Sequence, residues 1–342
     1  MNNQSRPQRR RQNHRPQNGS GNFGMIAVIV IAVLLFINYQ VFSGIITENP
    51  STVSTAGPDT QPVVQEDPME KDIRENFVTV TALNSDTKCG NLVLVDKTHP
   101  YDFESSTTLF ETEELKSIYS MKNDKYFVKN INISMMPTAI EALNSLISDF
   151  YDVSGHEDLI IVDAFRSYDD QKKVLDAKIA LYGEEQGRLI ATNPGHSEHH
   201  TGLAFDFSLY IGGIQQDYDG TGDYQWITDN CYKYGFVIRY PENKTDITGI
   251  TYEPWHLRYV GKEHAYFMTK NNLCLEEYVE LLSRYPLRSS RLVFTTDEGE
   301  TYSVYSQSIS GDTAEIHVPK SYEYTMSGDN DGRIIVSCKL PS

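Results

Sequence analysis

The chain has 342 residues, enough for one large domain or two modest ones, and carries a formal net charge of −17. Five arginines (Arg6, Arg9, Arg10, Arg11, Arg15) and no acid occupy the first 22 residues, which leaves −22 on the remainder. A chain that acidic past its tail is a poor nucleic-acid binder, because phosphate contacts need a basic surface.

Residues 1–22 read as a basic tail. Residues 23–43, FGMIAVIVIAVLLFINYQVFS, contain an unbroken apolar run of thirteen from Met25 to Ile37. About 20 residues span a bilayer, so 23–43 is expected to form a transmembrane signal-anchor with Asn38, Tyr39 and Gln40 at an interface. A cleaved signal peptide is the other reading, but no clear small-x-small site follows. The arginines place the N-terminus in the cytoplasm by the positive-inside rule, which puts the rest of the chain outside the cell membrane. Residues 44–72 have frequent Ser, Thr and Pro and no apolar periodicity, and read as a flexible linker.

The folded part is expected as a domain over 73–287 and a small β-rich appendage over 288–342. Asn76–Leu83 and Asn91–Val95 read as strands. Pro137–Val153 has apolar residues at helical spacing, and Ser167–Tyr182 reads as the next helix. Leu159–Val162 is a short apolar strand. Asp223–Tyr234 is expected as a helix with Asp223 at its N-cap and Gly235 at its C-cap. Phe236–Arg239 reads as a strand, and Glu263–Lys270 and Leu275–Tyr285 as helices. Helices mixed irregularly with short strands indicate an α+β fold. After Pro286, the alternating runs RLVFT, TYSVYSQ, TAEIHV and RIIVSCKL are separated by turn chemistry. That appendage is expected to pack against the preceding domain, with wall-polymer binding as its other reading.

Cys89, Cys231, Cys274 and Cys338 all fall on the expected external side, and an even count there points to disulfides. Cys231 with Cys274 and Cys89 with Cys338 is the pairing considered, against four buried free thiols. No CxxC occurs, which argues against cysteine-bound zinc.

Chemistry concentrates in two stretches, Pro194–Tyr210 (PGHSEHHTGLAFDFSLY) and Tyr252–Gly261 (YEPWHLRYVG). From Leu203 the first alternates with period two, so Asp206 stands on the face opposite Leu203, Phe205, Phe207 and Leu209. Gly202 permits a tight turn that folds His199 back over that face. In the second stretch Glu253 and His256 are three apart and would face opposite ways on one strand. Glu253 is therefore expected on a loop, with His256 on the strand proper. Two imidazoles, one carboxylate ligand and one spare carboxylate match a catalytic zinc site, which leaves a coordination position to water. The spare carboxylate suits a general base. His196 and His200 read as supporting or surface residues, His156 and His264 as surface residues, and Trp255 as packing. A third cluster, Asp163–Gln171 (DAFRSYDDQ), places Arg166 after a strand, with Ser167, Tyr168 and Gln171 as uncharged donors. A surface Arg166 paired with Asp163 or Asp170 is the plainer reading of that cluster alone.

S-x-H-x-x-G-x-A-x-D at Ser197–Asp206, E-P-W-H at Glu253–His256 and FRSYDDQ at Phe165–Gln171 resemble the VanY-type D-alanyl-D-alanine carboxypeptidases, zinc peptidases of the bacterial cell wall. The resemblance runs from about Gly90 to about Tyr285. It implies a zinc peptidase domain with a small antiparallel sheet flanked by helices. It also implies zinc held by His199, Asp206 and His256, with Glu253 as catalytic base. Arg166 would hold the substrate's terminal carboxylate, with Ser167, Gln171 and Ser197 nearby. The implied substrate is the peptidoglycan stem peptide. An L,D-carboxypeptidase acting on tetrapeptide stems and a non-catalytic, zinc-stabilised wall-binding protein are the alternatives.

Overall fold

The computed structural model describes residues 68–107, 109–110 and 113–341, with the backbone alone for 68–70. The basic tail, the segment 23–43 expected as a signal-anchor and most of the linker lie outside the described residues. Among those described, no helix is long and apolar enough to cross a membrane.

The fold is mixed α+β. Its central sheet runs in the order Phe127–Val128, Leu159–Asp163, Ala204–Ile211, His256–Tyr259, Phe236–Ile238, with Ile214–Gln216 hairpinned onto the third strand. The first pair is parallel, unlike the wholly antiparallel sheet expected, and the others are antiparallel. The helix Pro137–Ser154 covers one face. Pro137 starts it with a pre-set φ, and Gly155 ends it at φ 73°. Its buried stripe of Ala139, Ile140, Leu143, Leu146, Ile147 and Phe150 packs on Leu159, Ile161, Phe205, Phe207 and Leu257 from alternate positions of three strands. Each such aliphatic side chain contributes about 1.5–3 kcal/mol when fully buried.

The β-rich C-terminal region is held from two sides. A four-stranded sheet, in the order Leu292–Thr295, Thr301–Ser308, Arg333–Leu340, Tyr324–Gly328, turns Val304 and Ile335 toward the helices Lys262–Lys270 and Leu275–Leu282. Ile334 and Val336 alternate onto the other face, against Ile316 and Val318. Those belong to Thr313–Pro319, which pairs antiparallel with the early strand Phe77–Leu83 in continuous register from Phe77↔Pro319 to Leu83↔Thr313.

The helix Pro68–Asn76 begins inside the linker expected over 44–72, and two further elements and one residue differ from expectation. Asn91–Val95 is no strand: Leu92 to Val95 are buried, but their polar groups are met singly. The Leu92 amide donates to Ser327 Oγ, and Asn330 Nδ2 donates to the Leu94 carbonyl. The region Asp223–Tyr234 breaks into 3₁₀ turn, α-helix Gln225–Asn230 and 3₁₀ turn, closed by Gly235 at φ 90°. Asp223 does not cap it but pairs with His156 Nε2 at 3.1 Å. His264 is buried rather than on the surface, with Nδ1 2.8 Å from Tyr278 Oη.

All four cysteines are free thiols, so the pairing considered above does not form. Each sulfur has its own surroundings. Cys231 lies in the core under the central sheet, and Cys274 sits at the N-cap of Leu275–Leu282. Cys89 Sγ lies against the Ser85 carbonyl and Cys338 Sγ against the Ser303 carbonyl.

Candidate active site

Sheet register assembles the site. Asp206 pairs with His256 on one neighbouring strand and with Asp163 on the other, so three polar side chains line up across adjacent strands. The register shifts between Ile161 and Asp163. Such a bulge re-aims the side chains beside it. His199 comes from the 3₁₀ turn Glu198–Thr201, which ends at Gly202 with φ 69°. That conformation needs glycine, and a Cβ there would also sit 2.5 Å from Leu115 Cδ2. The loop position expected for Glu253 and the strand position expected for His256 are both observed, since the strand opens at His256.

His199 Nδ1 lies 2.5 Å from the Ala164 carbonyl, which can only accept, so Nδ1 carries the proton and Nε2 presents its lone pair. Nε2 lies 3.5 Å from Asp206 Oδ2, and His256 Nδ1 lies 2.9 Å from Asp206 Oδ1. One ligand atom from each of the three residues falls within 4.8 Å of the others.

The electrostatics fit a cation there. Burial opposes charge on Asp206, yet His199, the His256 hydrogen bond and Arg166 hold its carboxyl well below the usual range. Burial pushes His199 well below an ordinary histidine. His256 is held up at about 9, against burial, by Asp206 and Glu198. The pocket thus calls for positive charge at the Asp206–His256 contact. Two imidazole nitrogens and a carboxylate oxygen are donors suited to zinc.

Glu253 is buried beside this trio, and its backbone amide donates to the Tyr240 carbonyl at 3.1 Å. Burial raises its carboxyl to about 7, opposed by His256 and reinforced by Asp206. Arg166 donates through Nε to Asp163 at 2.9 Å, through Nη1 to Gln171 at 2.9 Å and through Nη2 to Asp206 at 3.3 Å. A guanidinium has five N–H groups, so two remain for a ligand. Gln171 is buried and also donates to the Thr192 carbonyl, which ties Arg166 to the segment that follows the helix Glu184–Ile190. Ser167 caps the helix Tyr168–Tyr182, its Oγ accepting from the Asp170 amide and donating to the Asp170 carboxylate. Ser197 is buried at the start of the histidine turn. His200 is buried too, with Nδ1 2.7 Å from the Arg166 carbonyl, while His196 Nδ1 meets the Asp96 carbonyl at 2.7 Å.

Sequence reasoning missed Glu198, an unspecified position within the histidine motif. It is fully buried and accepts from both Arg239 and Arg258. An acid next to a candidate ligand histidine was the available signal.

Residues 132–262 match the family model described as VanY: D-alanyl-D-alanine carboxypeptidase. The chain is 32% identical over 267 residues to a D-alanyl-D-alanine carboxypeptidase of Enterococcus faecium, covering 77% of this chain and 80% of that protein. It is 39% identical over 197 residues to the putative carboxypeptidase YodJ of Bacillus subtilis (strain 168), covering 56% of this chain and 68% of that one. Among solved structures, the vancomycin resistance D,D-dipeptidase VanXYg, in complex with a D-Ala-D-Ala phosphinate analog, superposes with a TM-score of 0.67 at 27% identity. That match covers 77% of this chain and 99% of the other. With the motifs in one pocket and relatives matched over most of their length, this chain belongs to the VanY family of D-alanyl-D-alanine carboxypeptidases and is a peptidase.

Proposed function

We propose that the protein is a zinc-dependent D-alanyl-D-alanine carboxypeptidase that removes the terminal D-Ala from peptidoglycan stem peptides. His199, Asp206 and His256 hold the metal, and Glu253 is the general base. One observation carries this reading: three ligand atoms within 4.8 Å of one another, beside a buried fourth acid that lies outside the ligand set. A purely structural zinc site would fill its fourth position and need no such acid.

Zinc bound there supplies a Lewis acid and brings a bound water to a pKa of about 7. Glu253 accepts the proton of the attacking water and returns it to the leaving amine. Arg166 grips the terminal carboxylate with its two uncommitted N–H groups, which favours removal of a single end residue. Asp163 and Gln171 hold the guanidinium in that pose, and on this reading Ser167 and Ser197 contribute to the same substrate end. Residues 23–43 anchor the chain in the cell membrane on this reading, with the catalytic part outside, where peptidoglycan lies.

The test is product analysis by mass spectrometry. The zinc-loaded protein is incubated with a pentapeptide ending D-Ala-D-Ala and with a tetrapeptide ending L-Lys-D-Ala. Loss of one alanine from the pentapeptide is expected. Loss from the tetrapeptide alone would replace the reading with L,D-carboxypeptidase action. No release from either, with zinc bound at one equivalent, would overturn it. A folded, zinc-loaded Glu253→Gln protein should lose about 10²–10⁴-fold in kcat, and wild-type turnover would remove Glu253 from its role.

A further inference from the structure

The imidazole of His256 has two nitrogens, and the protein addresses both. Nδ1 lies 2.9 Å from Asp206 Oδ1. Nε2 is buried with no hydrogen-bond partner, and 3.8 Å away lies Glu198 Oε2, also buried and also without one. Two orphaned buried polar atoms are costly, and native structures hold few. Here they face each other.

Glu198 is fixed from behind. Its Oε1 accepts from Arg239 Nε at 2.6 Å and from Arg258 Nη1 at 2.7 Å. Arg239 is clamped in turn by both oxygens of Glu276, at 2.9 and 2.8 Å. Arg258 donates to the carbonyls of Tyr259, Asn91 and Val93. The carboxylate cannot turn away without breaking charge-assisted bonds, so Oε2 stays aimed at the ring. Tyr240 packs against His256 at a tilt of 43° and a centroid distance of 4.9 Å, which limits its rotation.

With the proton on Nε2, the ring gives Glu198 a donor and turns a lone pair at Nδ1 toward Asp206. With the proton on Nδ1, a lone pair at Nε2 faces the carboxylate and repels it. Without a metal the shorter contact is the Nδ1 hydrogen bond to Asp206, and a bound cation would take the place of that proton. Two ligands at about 2.0 Å from one tetrahedral ion stand roughly 3.3 Å apart, which is wider than the 2.9 Å between His256 Nδ1 and Asp206 Oδ1. An ion held by these residues would need more room there, and a ring displaced away from Asp206 would shorten the 3.8 Å separation from Glu198 Oε2 toward hydrogen-bonding distance.

We infer that Glu198 is a positioning residue that holds the Nε2–H tautomer of His256 and so keeps Nδ1 free to bind the metal. This rests on the ligand set proposed above. Metal affinity rather than turnover tests it. In Glu198→Gln the amide oxygen satisfies the arginines and the NH₂ faces Nε2, which favours the wrong tautomer. Zinc affinity, read by chelator competition, should fall about 10–100-fold, and the visible spectrum of the cobalt(II)-loaded protein should shift. Glu276→Gln removes a charge from the same Arg239 without touching His256, and should keep zinc affinity within about twofold. Should the amide variant not fold, Glu198→Asp keeps charge for the arginines at shorter reach, with the same weakening expected. Wild-type affinity in both Glu198 variants, or equal weakening in Glu276→Gln, would overturn the inference. A wild-type protein that takes up no zinc would overturn the ligand set instead.

Discussion

Two groups of arginines flank the His199–Asp206–His256 trio, and they are built differently. Arg166 lies at the open end, 13% exposed in its side chain, and spends three N–H groups on Asp163, Gln171 and Asp206. Arg239 and Arg258 lie behind His256, at 1% and 0%, and spend three and four N–H groups on Glu198, Glu276 and backbone carbonyls, out of reach of solvent. A cation meant to take a ligand must leave donors unspent and reachable. A cation meant to hold other side chains can be sealed from solvent only against carboxylates and carbonyls, because an unpaired buried charge is far too costly. On the proposed reading Arg166 binds, and the buried pair Arg239 and Arg258 holds.

Arg166→Ala breaks the binding side and should give the largest effect. Two hydrogen bonds to a charged carboxylate are worth about 1.5–3 kcal/mol each. Their loss should lower kcat/KM on the pentapeptide by roughly 10²–10⁴-fold. On a substrate whose C-terminus is amidated the loss should be much smaller. An equal loss on both substrates would show that Arg166 acts on the metal site and not on the carboxylate.

Arg258→Met breaks the holding side. It removes one of the two donors to the Glu198 Oε1 atom and leaves the carbonyls of Asn91 and Val93 short of a partner. Losing one partner of a buried pair costs about 3–5 kcal/mol. Chemical denaturation of the metal-free protein should show that loss of stability. A variant as stable as the wild type would mean the buried charges are solvated in some other way, and the contrast between the two groups would fail.

The seam behind Arg258 extends the comparison into the C-terminal region. The segment that supplies its carbonyl acceptors is held by the turn at 327–330. The Gly328 amide donates to the Cys89 carbonyl at 2.7 Å and the Asn330 amide to the Thr87 carbonyl at 2.7 Å. A Cβ on Gly328 would meet the Thr87 carbonyl at 2.3 Å, and backbone cannot yield as a side chain can. Gly328→Ala should cost about 1–3 kcal/mol, measured by the same denaturation. An unchanged stability would show that the seam is slack.

What the sequence discloses divides along the same line. Asp206 and His256 sit in short alternating runs, and His199 follows from one turn, so local periodicity and the family motifs found them. Arg166 is readable because its cluster follows a strand. Glu198, Arg239 and Arg258 form one network across 60 residues of chain, and nothing local marks them as partners. The strand Phe77–Leu83 was legible, but its pairing with Thr313–Pro319 joins segments over 200 residues apart. Tyr324–Gly328 carries too little alternation to be read as a strand. Asn91–Val95 misleads in the opposite way, because burial produced an apolar run whose hydrogen bonds come from Ser327, Asn330 and Arg258 and not from a ladder.

The smallest expected effect concerns the cysteines, where the contrast between reactive and held groups can be read without mutation. A disulfide typically contributes about 2–4 kcal/mol, and its reduction would lower the melting temperature by several degrees. Four separate thiols predict no change on adding reductant. They also predict slow alkylation of the native protein, because thiolate is the reactive form. Burial raises Cys231 and Cys274 to about 12 and Cys89 to about 11, and it raises Cys338 as well. Iodoacetamide should leave the native chain nearly unlabelled near neutral pH and modify all four after denaturation without reductant. Labelling of only two under those denaturing conditions would mean that one disulfide bridge is present. Cys89 would then be the first partner to examine, since it alone of the four is not fully buried.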